Sequence, residues 1–405
     1  MNRWKTLTLA PHRLHFFCGM ASLLLASGWW AVHLVARYAG KPIWALDLQV
    51  APIWAHSFLM LFVVLPTFMF GFLFTTFPRW MNGPAVPRTS YVATAVLLFL
   101  ATLAWLAGAH YGLSLQLLAV ALATAGLITG LVALLRVLVD AQQVVSHAVV
   151  ASVAVSVGTV SVAGFGYGLA EANDFALHFA VRAALWGFLF PVFFAVCHRM
   201  VPFFSQNAVP GYVVWRPLWM LLAVVALAYA RLLLGTAGTF DWLPVADVAL
   251  ALLTATCAIR WTSLGSRGNP LLWTLYAGVA WLPVAMILQA TRDAGFVLTG
   301  TWLLGRAPIH ALGIGFFGSM LVAMVTRVTM GHSGRGLAMN RATLACFVGV
   351  QAAAVLRVSS EIVAAPDAVR DLLLGSMFAW IAAFGTWAAI YFEIYLSPRS
   401  DGKPG

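Results

Sequence analysis

Ten histidines stand in a chain in which 62% of residues are hydrophobic and only 9% are charged. Imidazole ligates iron and copper and moves protons near neutrality, so in so apolar a chain these side chains carry the first functional hypotheses. Several keep suggestive company. His310 is followed one helical turn later by Gly313 on the same face, with Phe317 and Met324 further along it. A flat macrocycle can approach such a face closely, although ordinary small-residue helix packing uses the same glycines. Trp54 precedes His56, and Met60 sets a thioether on the same face, ligand types that copper and haem iron both accept. A methionine filling a core gap gives the same spacing. The run Cys197-His198-Arg199-Met200-Val201-Pro202 gathers a soft sulfur, an imidazole and a guanidinium. Arg199 suits a haem propionate or serves as a basic anchor at the membrane face. Arg182 lies a turn inside the other end of that stretch, where it snorkels outward, pairs with Glu171 or Asp174, or meets a propionate.

The elements that must position these groups follow from composition. A mean hydropathy of +0.92 over 405 residues excludes a large water-soluble domain. The apolar stretches are too long for the roughly ten-residue alternating strands of an outer-membrane barrel, so the expected fold is all-α, a polytopic bundle of about 12 spans. The runs fall at 14–36, 53–78, 91–108, 113–135, 147–170, 178–202, 213–234, 243–263, 270–291, 308–330, 343–362 and 373–396. Turn chemistry separates them, as in Ala39-Gly40-Lys41-Pro42 and Pro78-Arg79-Trp80-Met81-Asn82-Gly83-Pro84. The connections are too short for an independent domain, and no internal repeat stands out, so residues 1–405 are read as one membrane domain. No cleavable signal is visible at the N-terminus, and the first span is expected to be retained.

A formal charge of +11 points to membrane sidedness rather than to nucleic acid. With both termini cytoplasmic, Arg3, Lys5, Arg13, Arg79, Arg88, Arg136, Arg199, Arg216, Arg260, Arg267, Arg327, Arg335, Arg341, Arg399 and Lys403 fall inside, the majority of the 23 basic residues. Acidic residues such as Asp47, Asp247 and Asp293 fall outside. This topology sorts the histidines into two layers. His33, His56, His110, His178 and His310 lie toward the outer face, and His12, His15, His147, His198 and His332 toward the inner face. Ligands for one metal or haem must come from different helices at one level, and either layer supplies candidates; a histidine at a helix end is also simply where imidazole costs least. Cys18, Cys197, Cys257 and Cys346 all lie within apolar runs, so no disulfide framework is indicated.

The stretch from His310 through Met324-Val-Thr-Arg327-Val-Thr-Met-Gly-His332-Ser-Gly-Arg335 resembles the most distinctive signature of the NnrS family. Pro11-His12-Arg13-Leu14, Trp54-Ala55-His56, Phe77-Pro-Arg-Trp-Met81, His198-Arg-Met-Val-Pro-Phe-Phe204, Asn269-Pro-Leu-Leu-Trp273 and Ala280-Trp-Leu-Pro283 extend the resemblance over nearly the whole chain. It implies a polytopic protein of the bacterial cytoplasmic membrane that contains haem b, with copper as a further candidate, linked to denitrification and nitric oxide tolerance. His12, His56, His310 and His332 carry over most directly. Many members of the family have Trp-His-Ala-His-Glu in the second span, whereas Trp54 and Ser57 stand here beside His56.

Two functions from different classes follow. One is a haem-binding membrane protein of the nitrosative-stress response, with nitric oxide and an electron donor as candidate partners. His12, His15, His33, His56, His178, His198, His310 and His332 are its candidate metal ligands, and Arg182, Arg199 and Gly313 contact the cofactor. An oxygen reductase of the haem-copper type needs adjacent histidines, and no His-His dipeptide exists in this chain. The competitor is a transporter for metal, haem or a small solute, favoured by Pro66, Pro191 and Pro283 within spans.

Overall fold

The computed structural model describes residues 3–39, 48, 50–266 and 268–402. Gly40, Lys41, Pro42, Asp47, Arg267 and Lys403, used above for turns and sidedness, lie outside the described residues. The described chain is 84% helical, with no strand. Its twelve helices long and apolar enough to cross a membrane are α1 (Pro11–Ala39), α2 (Pro52–Met81), α3 (Arg88–Tyr111), α4 (Leu113–Val139), α5 (Ser146–Ala170), α6 (Asp174–Ala208), α7 (Leu218–Ala237), α8 (Phe240–Trp261), α9 (Pro270–Thr299), α10 (Ala307–His332), α11 (Arg341–Ser359) and α12 (Pro366–Leu396). Each apolar run read from the sequence maps to one of these helices, although the run at 213–234 begins five residues before α7, and those at 243–263 and 343–362 run two and three residues past the ends of α8 and α11. The largest differences are at α9 and α12, which extend past the apolar runs through Arg292 and Asp293 and through Asp367, Arg370 and Asp371. Hydropathy ends a span at such residues, whereas here the charges are paired and the helix continues.

Three helices differ from the rest. α2, α6 and α10 are the most enclosed, with 83%, 78% and 78% of their most apolar windows buried. Each contains wide π turns: Leu59–Val64 in α2, Ala183–Leu189 in α6, and Ala311–Gly318 with Leu321–Val325 in α10. Pro66 and Pro191 follow two of these segments directly. A π turn shifts the hydrogen-bond ladder by one residue, which accommodates the missing proline N–H without ending the helix. The enclosed helices recur every fourth span, each with a histidine near its start (His56, His178, His310) and an arginine near its end (Arg79, Arg199, Arg327).

The chain divides into two compact units. The first comprises Met1–Val192, Gly331–Arg335 and Ala388–Gly405; the second comprises Phe193–Met330 and Gly336–Trp387. The centre of the first unit is an aromatic cluster in which Phe58 stacks on Trp105 at 4.0 Å, beside Phe62 and Phe165. Small residues let helices close on that core: a Cβ placed on Gly130 of α4 would lie 2.4 Å from the Phe70 ring of α2. In the second unit, Trp281 of α9 donates to Gln351 Oε1 at 2.8 Å, and Gln351 Nε2 donates to Ser319 Oγ at 2.7 Å, tying α9, α10 and α11 together. All four cysteines are free and buried.

Candidate functional site

Within the first unit, the opening turn of α1 meets the last residue of α10. Pro11 sets the first helical position of α1, which fixes His12 on its first turn. His332 closes α10, and the chain then turns through Ser333 and Gly334, whose φ of +74° admits few side chains. That turn is held by the C-terminal tail, where Ser400 N–H donates to the Ser333 carbonyl at 3.0 Å. Arg13 draws in the end of α12 by donating to the carbonyls of Tyr395 at 3.1 Å and Ser397 at 2.8 Å. The result is two imidazoles with ring centroids 4.8 Å apart and planes tilted by 39°.

His12 is 3% exposed, and its Nδ1 is buried without a hydrogen-bond partner. An orphaned polar atom at that depth is costly unless something binds it. Both imidazoles line a cavity of about 590 Å³, walled also by Phe74, Pro78, Val86 and Tyr91 and by two guanidiniums, Arg79 and Arg88. Arg88 and Tyr91 are braced on Thr8, through Arg88 Nη2 to Thr8 Oγ1 at 2.5 Å and Tyr91 Oη to the Thr8 carbonyl at 2.8 Å. His15, one turn along α1, faces elsewhere: its Nδ1 lies 3.2 Å from the Thr67 carbonyl and its Nε2 3.0 Å from the Tyr91 carbonyl. Metal ligation by His15 would break one of these bonds.

A cavity of this size is far larger than a single ion requires and matches a drug-sized or macrocyclic ligand. Among the described residues no group of three or more His, Cys, Asp or Glu side chains could hold an ion. Two axial imidazoles on opposite faces of one iron would have centroids at least about 6 Å apart, given metal–nitrogen bonds of about 2 Å. The observed 4.8 Å therefore fits one axial imidazole with the other stacked beside it, or two imidazoles on one small ion.

The opposite end of the first unit gathers the other layer. Trp30 stacks on His56 at 4.5 Å and lies 5.3 Å from His33, and Trp29 Nε1 donates to His110 Nε2 at 3.3 Å. Trp54 meets His178 edge-on at 4.7 Å, while the His178 Nδ1 donates to the Asp174 carbonyl at 2.8 Å. Four histidines from four helices thus share one end, with indoles packed among them. The sequence reading overlooked Trp29 and Trp30, although the Trp29-Trp30-x-x-His33 spacing places them within one turn of a candidate ligand. Arg182 is half-buried where α6 enters its π segment.

In the second unit, His198 is fully buried, with centroids of Phe194 at 6.0 Å and Trp261 at 5.9 Å and the Pro217 carbonyl as a hydrogen-bond partner. The neighbouring Cys197 thiol donates to Met320 Sδ at 3.6 Å. Arg199 is half-buried near Arg216. His310 is held by a 3.0 Å bond from its Nδ1 to the Arg306 carbonyl, which assigns the lone pair to Nε2, and a Cβ at Gly313 would meet nothing within 4 Å. Arg327, also overlooked in its functional aspect, is 5% exposed and stacks on Phe204 at 4.1 Å, with Nη1 buried and unpartnered.

The family model described as NnrS protein matches residues 6–399. No curated protein matches the chain.

Proposed function

Since the chain belongs to the NnrS family and is a multi-pass helical membrane protein, we propose that it binds haem b in the cavity beside His12 and His332 and serves the nitrosative-stress response of the bacterial cytoplasmic membrane. The observation that carries this reading is the buried, unpartnered Nδ1 of His12 beside a second imidazole in a cavity of macrocyclic size. When bound, haem iron supplies one-electron chemistry and, with an axial position open, a site for a diatomic ligand.

The chain's own residues do the rest. His12 offers an imidazole from a rigid first turn, and its stacked neighbour His332 restrains that ring. Arg79 and Arg88 place two cations in the cavity wall, suited to carboxylates of the propionate kind. Phe74, Pro78 and Val86 supply an apolar wall that limits water. With its ring stacked on His332, His12 would offer the haem a single imidazole, and a haem held by one protein ligand would supply the chemistry that nitric oxide binding needs.

The experiment is to purify wild type, His12→Ala, His332→Ala and the double variant Arg79→Gln/Arg88→Gln, and to compare haem content at equal fold quality. Loss of pigment from His12→Ala with retained helicity and melting temperature is expected. Full pigment in both histidine variants would sink the assignment. A second reading, one copper ion shared by the two imidazoles, is favoured by the 4.8 Å separation. It predicts copper rather than iron lost from the same variants. Transport has less support, because Pro66 and Pro191 lie in continuous helices rather than in unwound segments among the described residues.

A further inference from the structure

A cluster of charges that includes none of the histidines discussed above lies inside the second unit. Arg231 of α7 is 7% exposed, Asp247 of α8 0% and Asp293 of α9 1%. Arg231 Nε meets Asp247 Oδ1 and its Nη2 meets Asp293 Oδ2, each at 2.5 Å. All three residues stand about 9–10 Å inside their helices, given a rise of 1.5 Å per residue. Charges at that depth in a membrane protein mark a functional site or an expensive clamp.

The balance of donors distinguishes these. Gln289 Nε2 donates to Asp293 Oδ1 at 3.0 Å, and Arg292 Nη1 reaches the same oxygen at 2.9 Å from the partly exposed margin, where its guanidinium lies over Trp302 at 4.1 Å. Asp293 thus accepts from three donors, two on Oδ1 and one on Oδ2, which leaves one acceptor site on Oδ2. Asp247 accepts from Arg231 on Oδ1 alone: its Oδ2 is buried and meets no donor, although its carboxyl group lies within hydrogen-bonding reach of that of Asp293. Asp241, on the turn that opens α8, is exposed and offers no compensation. Two ionised carboxylates so close in an apolar setting repel, and a single proton between them turns repulsion into a hydrogen bond. The proton also gives Asp247 Oδ2 its missing partner, and it offsets the second negative charge in the fully buried part of the cluster, since Arg292 reaches Asp293 from the partly exposed margin.

We infer that Asp247 and Asp293 form a proton-binding site: a carboxyl pair that shares one exchangeable proton, clamped by Arg231 and opened toward solvent through Arg292. Holding or releasing that proton changes by one the charge buried between α7, α8 and α9. This inference does not depend on haem or copper.

Infrared spectroscopy of the full-length protein in detergent at neutral pH, with aspartate carrying 13C at the side-chain carboxyl, tests it. Asp247 and Asp293 are the buried acidic residues among those described. The inference expects a C=O band of a protonated carboxylic acid that shifts with the label, shifts again in D2O, and disappears in both Asp247→Asn and Asp293→Asn. Absence of a labelled band from wild type, insensitivity to D2O, or survival of the band in either folded variant overturns it. The wild-type arms decide even where a variant does not fold.

Discussion

His15 stands three residues after His12 on α1, yet each of its ring nitrogens faces a backbone carbonyl, to one of which its N–H donates, whereas Nδ1 of His12 meets no partner. This difference sets opposite expectations for the same substitution. His15→Ala removes a buried ring and the hydrogen bond that its single N–H donates to one of these carbonyls, and should cost about 1–3 kcal/mol, read as a lower melting temperature in detergent, while haem content per folded protein stays near wild type. His12→Ala should do the reverse: little loss of stability and loss of pigment. Equal behaviour of the two variants would contradict the division. Spacing alone did not separate the two, because Pro11-His12-Arg13-Leu14-His15 shows two imidazoles one turn apart and not which carbonyls they meet; only the resemblance to the NnrS motif put His12 ahead. The pairing of His12 with His332 was legible only as common depth and shared family motif. The orphaned Nδ1, the bracing of Arg88 on Thr8 and the tryptophans among His33, His56 and His110 all arise from long-range packing.

At the scale of elements, twelve apolar runs were readable because a membrane fixes their length and their polarity. The π turns were not. Pro66 and Pro191 read as interruptions suited to broken helices, yet wide turns just before them absorb the missing N–H, and both helices continue. Close approach between helices was likewise hidden, since a glycine looks the same in a seam as on an outer face. Gly130 and Gly164 separate the cases. Gly130→Val drives a side chain into Phe70 and should lower the unfolding free energy by about 1–3 kcal/mol. Gly164→Ala meets nothing within 4 Å and should be neutral or slightly stabilising. Thermal unfolding of both variants in one detergent checks the contrast, and equal losses would contradict the packing described for α2 and α4.

For the whole molecule, the basic residues alone set the expected sidedness, and an even number of crossings returns the chain to the side on which it began. Compartment reporters fused at residue 1 and at residue 405 should therefore report the same side, the cytoplasm. Opposite sides would mean that one of the twelve helices does not cross. The recurrence of an enclosed, π-containing helix at α2, α6 and α10 escaped the sequence reading because composition, not identity, repeats there: a histidine, a wide turn, and an arginine roughly five to six turns after the histidine. The charge network joining α7, α8 and α9 escaped it for a related reason, as hydropathy treats Arg292 and Asp293 as the end of a span.

Haem binding by a chain of this architecture is the central claim, and iron quantification alongside oxidised and reduced visible spectra of the purified wild-type protein tests it most directly. The account predicts at least one haem iron per chain, reduced-state bands of b-type haem, and a spectral shift when nitric oxide is added. A colourless, monodisperse and fully helical preparation that contains no iron would contradict it.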